Sequence, residues 1–113
     1  GDYLPHDMIV QNSAGRMIRV QVKGTDALHR RSARTKHGKL GRYRITAMSG
    51  NKANNRPIDC QLVDVLSIYV NQHDCFYNIP CTELTSGCIW VAPHNPESRG
   101  KYERFKENWD VYK

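Results

Sequence analysis

The sequence predicts an α/β or α+β domain built on a mixed, mainly antiparallel sheet of about five strands. Three observations lead to this prediction. Short apolar runs alternate with turn residues, one of these runs is apolar at nearly every position, and the chain ends in an aromatic stripe at helical spacing. The 113 residues fit a single domain. Because no apolar run reaches about 18 residues, we expect no transmembrane helix and no membrane partner.

An amphipathic strand over residues 16–23 is the centre of the predicted sheet. Its β-branched residues recur at every second position, as in a strand with one buried face: Ile18, Val20 and Val22. The opposite face carries Gln21 and Lys23, about 6–7 Å apart along the strand.

A second extended segment, residues 6–10, precedes the turn-forming residues 11–15, so the two segments are expected to form an antiparallel hairpin. One register keeps the apolar side chains on a single face, and it has two pairs: Met8 with Val20, and Val10 with Ile18. The same register places Asp7 opposite Gln21. A slip by one residue would scatter the apolar side chains over both faces.

This hairpin would bring a carboxylate, an amide and an ammonium together on its polar face. The oxygens of Asp7 and Gln21 can hold a hard divalent cation such as Mg²⁺, with the carbonyl of Val22 as a further ligand. A lysine beside them, Lys23, can orient a water molecule or stabilise charge on a phosphate. The alternative is that Gln21 and Lys23 are simply part of a solvated strand face.

With Asp7 upstream and Val20-Gln21-Val22-Lys23 on the next strand, the hairpin resembles the core of the PD-(D/E)xK nucleases in its Q-x-K variant. Group I intron-associated homing endonucleases are the most similar branch. The second half of the chain carries further parts of their pattern: Val63-Asp64-Val65-Leu66, Tyr69-Val70 and Phe76-Tyr77-Asn78-Ile79-Pro80. The acid in that line, Asp64, is expected to pair locally rather than to act in the site.

The resemblance implies a restriction-endonuclease-like fold and hydrolysis of DNA phosphodiester bonds with Mg²⁺ or Mn²⁺ as cofactor. Asp7, Gln21 and Lys23 would be catalytic, and Asp7, Gln21 and Val22 would bind the metal. The family also places a helix with a Glu before the first strand. This chain begins after that point, so we expect residues 1–113 to form one nuclease-like domain that is truncated at its N-terminus. A non-catalytic DNA- or RNA-binding domain with the same fold is the alternative.

The net charge of +6 favours an anionic partner, and DNA is the leading candidate. Between residues 29 and 44 the basic side chains occur without any acid among them, directly after the hairpin. Side chains of this kind neutralise the phosphate backbone. The candidate nucleic-acid-binding residues are Arg30, Arg31, Arg34, Lys36, Lys39, Arg42 and Arg44. Since double-strand cleavage needs two sites, a homodimer or higher homo-oligomer would suit this function.

Further strands are predicted over residues 43–48, 65–70, 75–79 and 88–92, and a helix over residues 96–113. The 65–70 strand is apolar at nearly every position, which is typical of a central strand. The helix is predicted from four aromatic residues at helical spacing, which are Tyr102, Phe105, Trp109 and Tyr112. The four cysteines lack metal-ligand spacing, and we expect them to be reduced, buried thiols in a cytoplasmic protein of prokaryotic or phage type.

Overall fold

The structure is a computed structural model that describes residues 6–25, 28–29, 41–49 and 56–113. Nine strands lie in these ranges: β1 (Met8–Gln11), β2 (Met17–Thr25), β3 (Leu28–His29), β4 (Arg42–Thr46), β5 (Met48–Ser49), β6 (Arg56–Pro57), β7 (Val65–Val70), β8 (Cys75–Pro80) and β9 (Cys88–Val91). The described ranges contain no α-helix. Short 3₁₀ turns occur instead, at Asn71–His73, Cys81–Glu83, Glu103–Phe105 and Asp110–Tyr112.

A four-stranded sheet with the order β1-β2-β7-β8 holds the candidate site. The central pair, β2 and β7, is parallel, and the two outer pairs are antiparallel. This arrangement confirms the predicted mixed, mainly antiparallel sheet. It also confirms the central place of Val65–Val70, because side chains on both faces of β7 are buried.

A second sheet, with the order β3-β4-β9, packs against one face of the first. The main core fills the space between them. Its largest contributions come from alternate residues of the facing strands: Tyr43 and Ile45 on β4, Ile89 and Val91 on β9, Leu66 and Ile68 on β7, and Tyr77 and Ile79 on β8. A two-stranded ladder of β5 and β6 completes the described strands. The prediction of one sheet of about five strands is therefore corrected to two packed sheets and a small ladder.

The predicted register of the first hairpin is confirmed, with Met8 opposite Val20 and Val10 opposite Ile18. The turn between the strands is held by the Asn12 side chain, whose Oδ1 accepts hydrogen bonds from two later backbone N–H groups. The predicted burial is wrong for part of the apolar face. Met8 is 48% exposed and Val22 is 41% exposed, because this face of β1 and β2 is covered only in part.

A small apolar cluster covers the other face of the four-stranded sheet. It consists of Ile18, Val20 and Val65, with Val10, Val111 and Tyr112 packed against it. Beside it lies a buried polar group. Ser67 donates to Oδ1 of Asn78 at 2.7 Å, and the Tyr112 hydroxyl donates to the same oxygen at 3.1 Å. The end of the chain therefore seals this face.

The predicted C-terminal helix is wrong. Residues 96–113 form turns and two 3₁₀ turns instead. Hydrogen bonds to β8 replace those of a helix, since Lys106 forms a bridge with Tyr77 and the Glu107 N–H donates to the Phe76 carbonyl at 2.7 Å. Glu107 also has a φ of 52°, which a continuous α-helix does not allow.

The expectation of four reduced cysteines is corrected as well. Cys60 and Cys81 form a disulfide, which joins the loop before β7 to the turn after β8. Cys75 is a buried thiol and Cys88 is a partly exposed one. Sequence spacing did not reveal the pair, because only the folded β7–β8 hairpin brings the two segments together. Within the described residues, no helix is long and apolar enough to cross a membrane.

Candidate active site

The second strand of the hairpin sets Gln21 and Lys23 on one face of the sheet. In the parallel ladder Gln21 lies level with Leu66, and Lys23 lies level with Ile68. Both β7 residues are 0% exposed and belong to the main core. The expectation that these two polar residues lie on a face turned away from the core is therefore wrong. They continue the core face at its margin, and each is partly buried.

Asp7 lies just before β1 and contacts β2 on both sides of Gln21. Its backbone N–H donates to the Val20 carbonyl at 2.9 Å. Its carboxylate Oδ2 accepts a hydrogen bond from the Val22 N–H at 2.7 Å. The strand ladder itself ends at Met8, so Asp7 is held by these two bonds rather than by regular pairing. The carboxylate thus sits at the backbone of the residue between Gln21 and Lys23.

The side-chain oxygen of Gln21 is buried and has no hydrogen-bond partner among the described residues. A buried polar atom without a partner costs about 1–3 kcal/mol, so such atoms point to a missing ligand or to function. An amide oxygen is the kind of donor that Mg²⁺ accepts. Nδ1 of His6, the residue before Asp7, is also buried without a partner in the described part of the chain.

The ammonium of Lys23 makes no ion pair or hydrogen bond within the described ranges. The ion pairs found there join Arg19 to Asp64, Arg104 to Glu83 and Lys113 to Asp110. Lys23 therefore keeps its three N–H donors for a ligand. An unpaired ammonium on a partly buried side chain suits an anionic group such as a phosphate.

A metal site of the common acidic kind is not formed by the described residues alone. No group of three His, Cys, Asp or Glu side chains comes together among them. The available donors are the carboxylate of Asp7, the unpaired amide oxygen of Gln21 and the Val22 carbonyl. These are all hard oxygen ligands, so they fit Mg²⁺ or Mn²⁺ whose remaining positions are filled by water and phosphate oxygens.

An ion pair fixes the strand that carries these residues. Asp64 accepts hydrogen bonds from the Arg19 backbone N–H at 2.8 Å and from Nε and Nη2 at 3.0 and 3.1 Å. Its own N–H donates to the Arg19 carbonyl at 2.9 Å. The parallel ladder starts with the next residue on each strand, so this pair sets the alignment of β2 with β7.

Hydrogen bonding to the Arg19 guanidinium lowers the pKa of Asp64 below its usual range. Asp64 was expected to pair locally rather than to act in the site, but its partner Arg19 lies at a sequence separation of 45. Arg19 itself did not stand out in the sequence. The available signal was its place two residues before Gln21 on the same strand face, but its acidic partner is far away along the chain.

The basic residues divide into two groups. Five of the predicted nucleic-acid-binding residues lie outside the described ranges: Arg30, Arg31, Arg34, Lys36 and Lys39. Arg42 and Arg44 are described, and both are exposed on β4. β4 pairs with β3, which follows shortly after Lys23 in the chain. These two guanidiniums thus belong to the sheet that packs against the core face on which Gln21 and Lys23 lie.

The mixed, mainly antiparallel sheet with few helices matches the endonuclease-like α/β class of folds. The sequence model of the PD-(D/E)XK endonucleases matches residues 1–107. The chain therefore belongs to the PD-(D/E)XK endonuclease family, as its resemblance predicted. No curated protein matches it by sequence.

Among solved structures, the bacterial homing endonuclease I-Ssp6803I is similar to this chain, with a TM-score of 0.72 and 21% identity. The match covers 98% of this chain and 73% of that one. At this identity the similarity concerns the fold, and it confirms the predicted restriction-endonuclease-like class.

Proposed function

We propose that this protein is a metal-dependent deoxyribonuclease of the homing or restriction type, which hydrolyses phosphodiester bonds in DNA. The observation that carries the proposal is the hydrogen bond from the Val22 N–H to the Asp7 carboxylate at 2.7 Å. It holds the carboxylate at the one residue that separates Gln21 from Lys23. Membership of an endonuclease family supports the same reaction class.

Asp7 and Gln21 would hold Mg²⁺ or Mn²⁺ through the carboxylate and the unpaired amide oxygen, and the Val22 carbonyl would be a further ligand. A divalent ion bound there would supply Lewis acidity and lower the pKa of a coordinated water. Lys23 would donate hydrogen bonds to a non-bridging phosphate oxygen, where charge builds as the water attacks. The buried Leu66 and Ile68, level with Gln21 and Lys23 on β7, would support these side chains before substrate binds.

DNA would be held by the positive charge of the chain. Each lysine or arginine that neutralises a phosphate releases counterions, so affinity falls steeply with salt concentration. Arg42 and Arg44, both exposed, and the basic residues between them and Lys23 would supply these contacts. Two copies of the chain would cut both strands, because each copy has one candidate site.

The test compares Lys23→Ala with Lys113→Ala in the full chain. Both variants lose one positive charge, but Lys113 lies at the chain end and pairs with Asp110. With Mg²⁺ or Mn²⁺ and supercoiled plasmid, we expect Lys23→Ala to nick at least about 100-fold more slowly, as for loss of a group that acts in the transition state. DNA affinity should match in the two variants. Equal nicking rates would rule out the role of Lys23.

A second experiment addresses the metal ligands. Gln21→Ala removes the amide oxygen, whereas Gln21→Glu keeps an oxygen ligand and adds charge. We expect Mg²⁺ to raise the melting temperature of the unsubstituted protein and of Gln21→Glu, but not of Gln21→Ala. DNA binding without metal-dependent cleavage by the unsubstituted protein would instead favour a non-catalytic nucleic-acid-binding domain. RNA of the same sequence serves as the comparison substrate.

A further inference from the structure

The second sheet has an outer face that takes no part in the core. β4 and β9 alternate, so that one set of side chains packs inward while the other set points away from the first sheet. The outward set comprises Arg42, Arg44 and Thr46 from β4, and Cys88 and Trp90 from β9. We call these five residues the outer face. The register places Arg44 opposite Trp90, and Thr46 opposite Cys88.

The guanidinium of Arg42 lies over the Trp90 ring, 4.6 Å from its centroid. This contact is a cation–π interaction, which favours indole over the other aromatic rings. It fixes the plane of a side chain that would otherwise sample many rotamers. Trp90 is therefore a platform that orients Arg42.

The second guanidinium is also held in place. Nε of Arg44 donates to Sγ of Cys88 at 3.0 Å, across the same pair of strands. Only one of the five N–H donors of the guanidinium is used in this bond. The two terminal nitrogens keep their donors for a ligand.

Among the described residues, no acid forms an ion pair with the two arginines of this face. Neither β4 nor β9 contains an Asp or Glu. Across the described part of the chain, Arg42 and Arg44 make no ion pair, whereas two other arginines do: Arg19 with Asp64, and Arg104 with Glu83. Two oriented guanidiniums on one face of a sheet, with no ion pair to a described residue, are suited to a polyanion.

We propose that the outer face is a docking surface for duplex DNA, in which Trp90 positions Arg42 and both arginines contact the DNA. This inference rests on the proposed function, since it takes DNA as the substrate. To the arginine contacts of that function it adds the orienting role of Trp90 and a single face of the sheet on which duplex DNA would lie. Arginine side chains on the face of a sheet can enter the major groove, where they bind guanine edges or flanking phosphates. Because Arg42 covers the indole ring, the guanidinium rather than the ring is presented, which favours duplex over unpaired bases.

The chain has two tryptophans, which allows a direct test by fluorescence. Trp109→Phe leaves Trp90 as the only tryptophan. Trp90→Phe leaves Trp109, which is exposed and lies in the last turns of the chain. The titration uses a short duplex without divalent metal, so that no cleavage occurs. We expect emission from Trp90 to change on binding, and emission from Trp109 to stay constant. Binding that leaves Trp90 emission unchanged would overturn the proposal.

Affinity and its salt dependence give a second readout. Arg42→Gln and Arg44→Gln should each weaken duplex binding several-fold and reduce the slope of log K against log salt by about one if the contact is a phosphate. Arg104→Gln is the matched control, because Arg104 is exposed but already paired with Glu83. Trp90→Ala should weaken binding as much as Arg42→Gln does. The double variant Trp90→Ala with Arg42→Gln should lose no more duplex affinity than either single variant. Trp90→Phe should lose less affinity than Trp90→Ala.

Thiol labelling maps the same face. Cys88 is partly exposed and Cys75 is buried, so an alkylating reagent should modify Cys88 first. Bound duplex should slow that reaction, and melting temperature checks that all variants fold. If DNA binds but neither Trp90, Cys88 nor the arginines respond, DNA docks elsewhere: the outer-face proposal fails while the nuclease proposal stands. If no DNA binds, both fail. Stronger Trp90 response to single-stranded DNA than to duplex would overturn the duplex assignment.

Discussion

The two faces of the four-stranded sheet differ in what they bury. The face toward the second sheet carries the main core, in which Leu66, Ile68, Tyr77 and Ile79 are all 0% exposed. The opposite face has a cluster of only three buried apolar residues, and it also encloses the polar pair of Ser67 and Asn78. Gln21 and Lys23 lie on the first face. The candidate site thus lies at the margin of the face that carries the larger core.

The largest expected effect comes from the same substitution made on each face. Ile79→Ala opens a cavity between two packed sheets that cannot collapse easily, so we expect a loss of about 4 kcal/mol in the free energy of unfolding. Ile18→Ala lies in the smaller cluster, where neighbours can move in, and should cost about 2 kcal/mol. Urea unfolding measures both. Equal losses would contradict the difference between the faces.

The disulfide should contribute almost as much as a core residue. It closes a loop with a sequence separation of 21, for which chain entropy gives about 3 kcal/mol. We therefore expect the double variant Cys60→Ser with Cys81→Ala to lose about this amount in thermal or urea unfolding. Cys81 is also buried in the main core, so a loss of stability above about 3 kcal/mol would include lost packing in that core. Cys88→Ser, which leaves the bridge intact, should unfold like the unsubstituted protein.

A smaller loss of stability is expected when the Tyr112 hydrogen bond to the buried polar group of the opposite face is removed. Tyr112→Phe removes the hydroxyl that donates to Asn78 and should cost about 1 kcal/mol. Tyr69→Phe removes an exposed hydrogen bond to Asp74, where water can replace the lost partner. Its cost should therefore be smaller. If the two variants unfold at the same urea concentration, the buried polar group adds nothing to this face.

The smallest expected effect on stability depends on pH and concerns the ion pair at the start of the β2–β7 ladder. The folded-state pKa of Asp64 is lowered by the Arg19 guanidinium. Its contribution to stability is then fully present above the unfolded-state pKa, which is about 3.9, and is lost as pH falls through the lower folded-state pKa. Asp64→Asn should therefore be less stable than the unsubstituted protein at pH 6. The gap between them should narrow below about pH 4. If the difference in stability between Asp64→Asn and the unsubstituted protein does not change with pH, the Asp64 carboxylate does not stabilise the fold through Arg19.

Local patterns predicted the parts of the fold that depend on neighbouring residues. Alternation located the strands, and the pairing of Val10 with Ile18 followed from keeping apolar residues together. The faces of β2 were not predicted, because they depend on the parallel pairing with Leu66 and Ile68, which lie far along the chain. The end of the chain was misread as a helix for a related reason. Its backbone bonds to Phe76, and periodicity cannot reveal such a partner.

The same limits apply to the candidate site. Asp7, Gln21 and Lys23 lie in one hairpin, so spacing and register were enough to place them near one another. The contact between Arg19 and Asp64 could not be inferred, since either charge has several possible partners in an extended chain. The Cys60–Cys81 pair was missed because four cysteines allow several connectivities, and the sequence favoured none of them.

The parallel pair of β2 and β7 determines when the site is completed during folding. Asp7, Gln21 and Lys23 belong to a hairpin whose contacts are short-range, but Arg19 meets Asp64 across a sequence separation of 45. Closing so long a loop is slow compared with forming the hairpins β1–β2 and β7–β8. On a ribosome, the first hairpin would emerge with its polar residues already adjacent. Its pairing with β7 would form only after β7 has been synthesised and has docked beside β2.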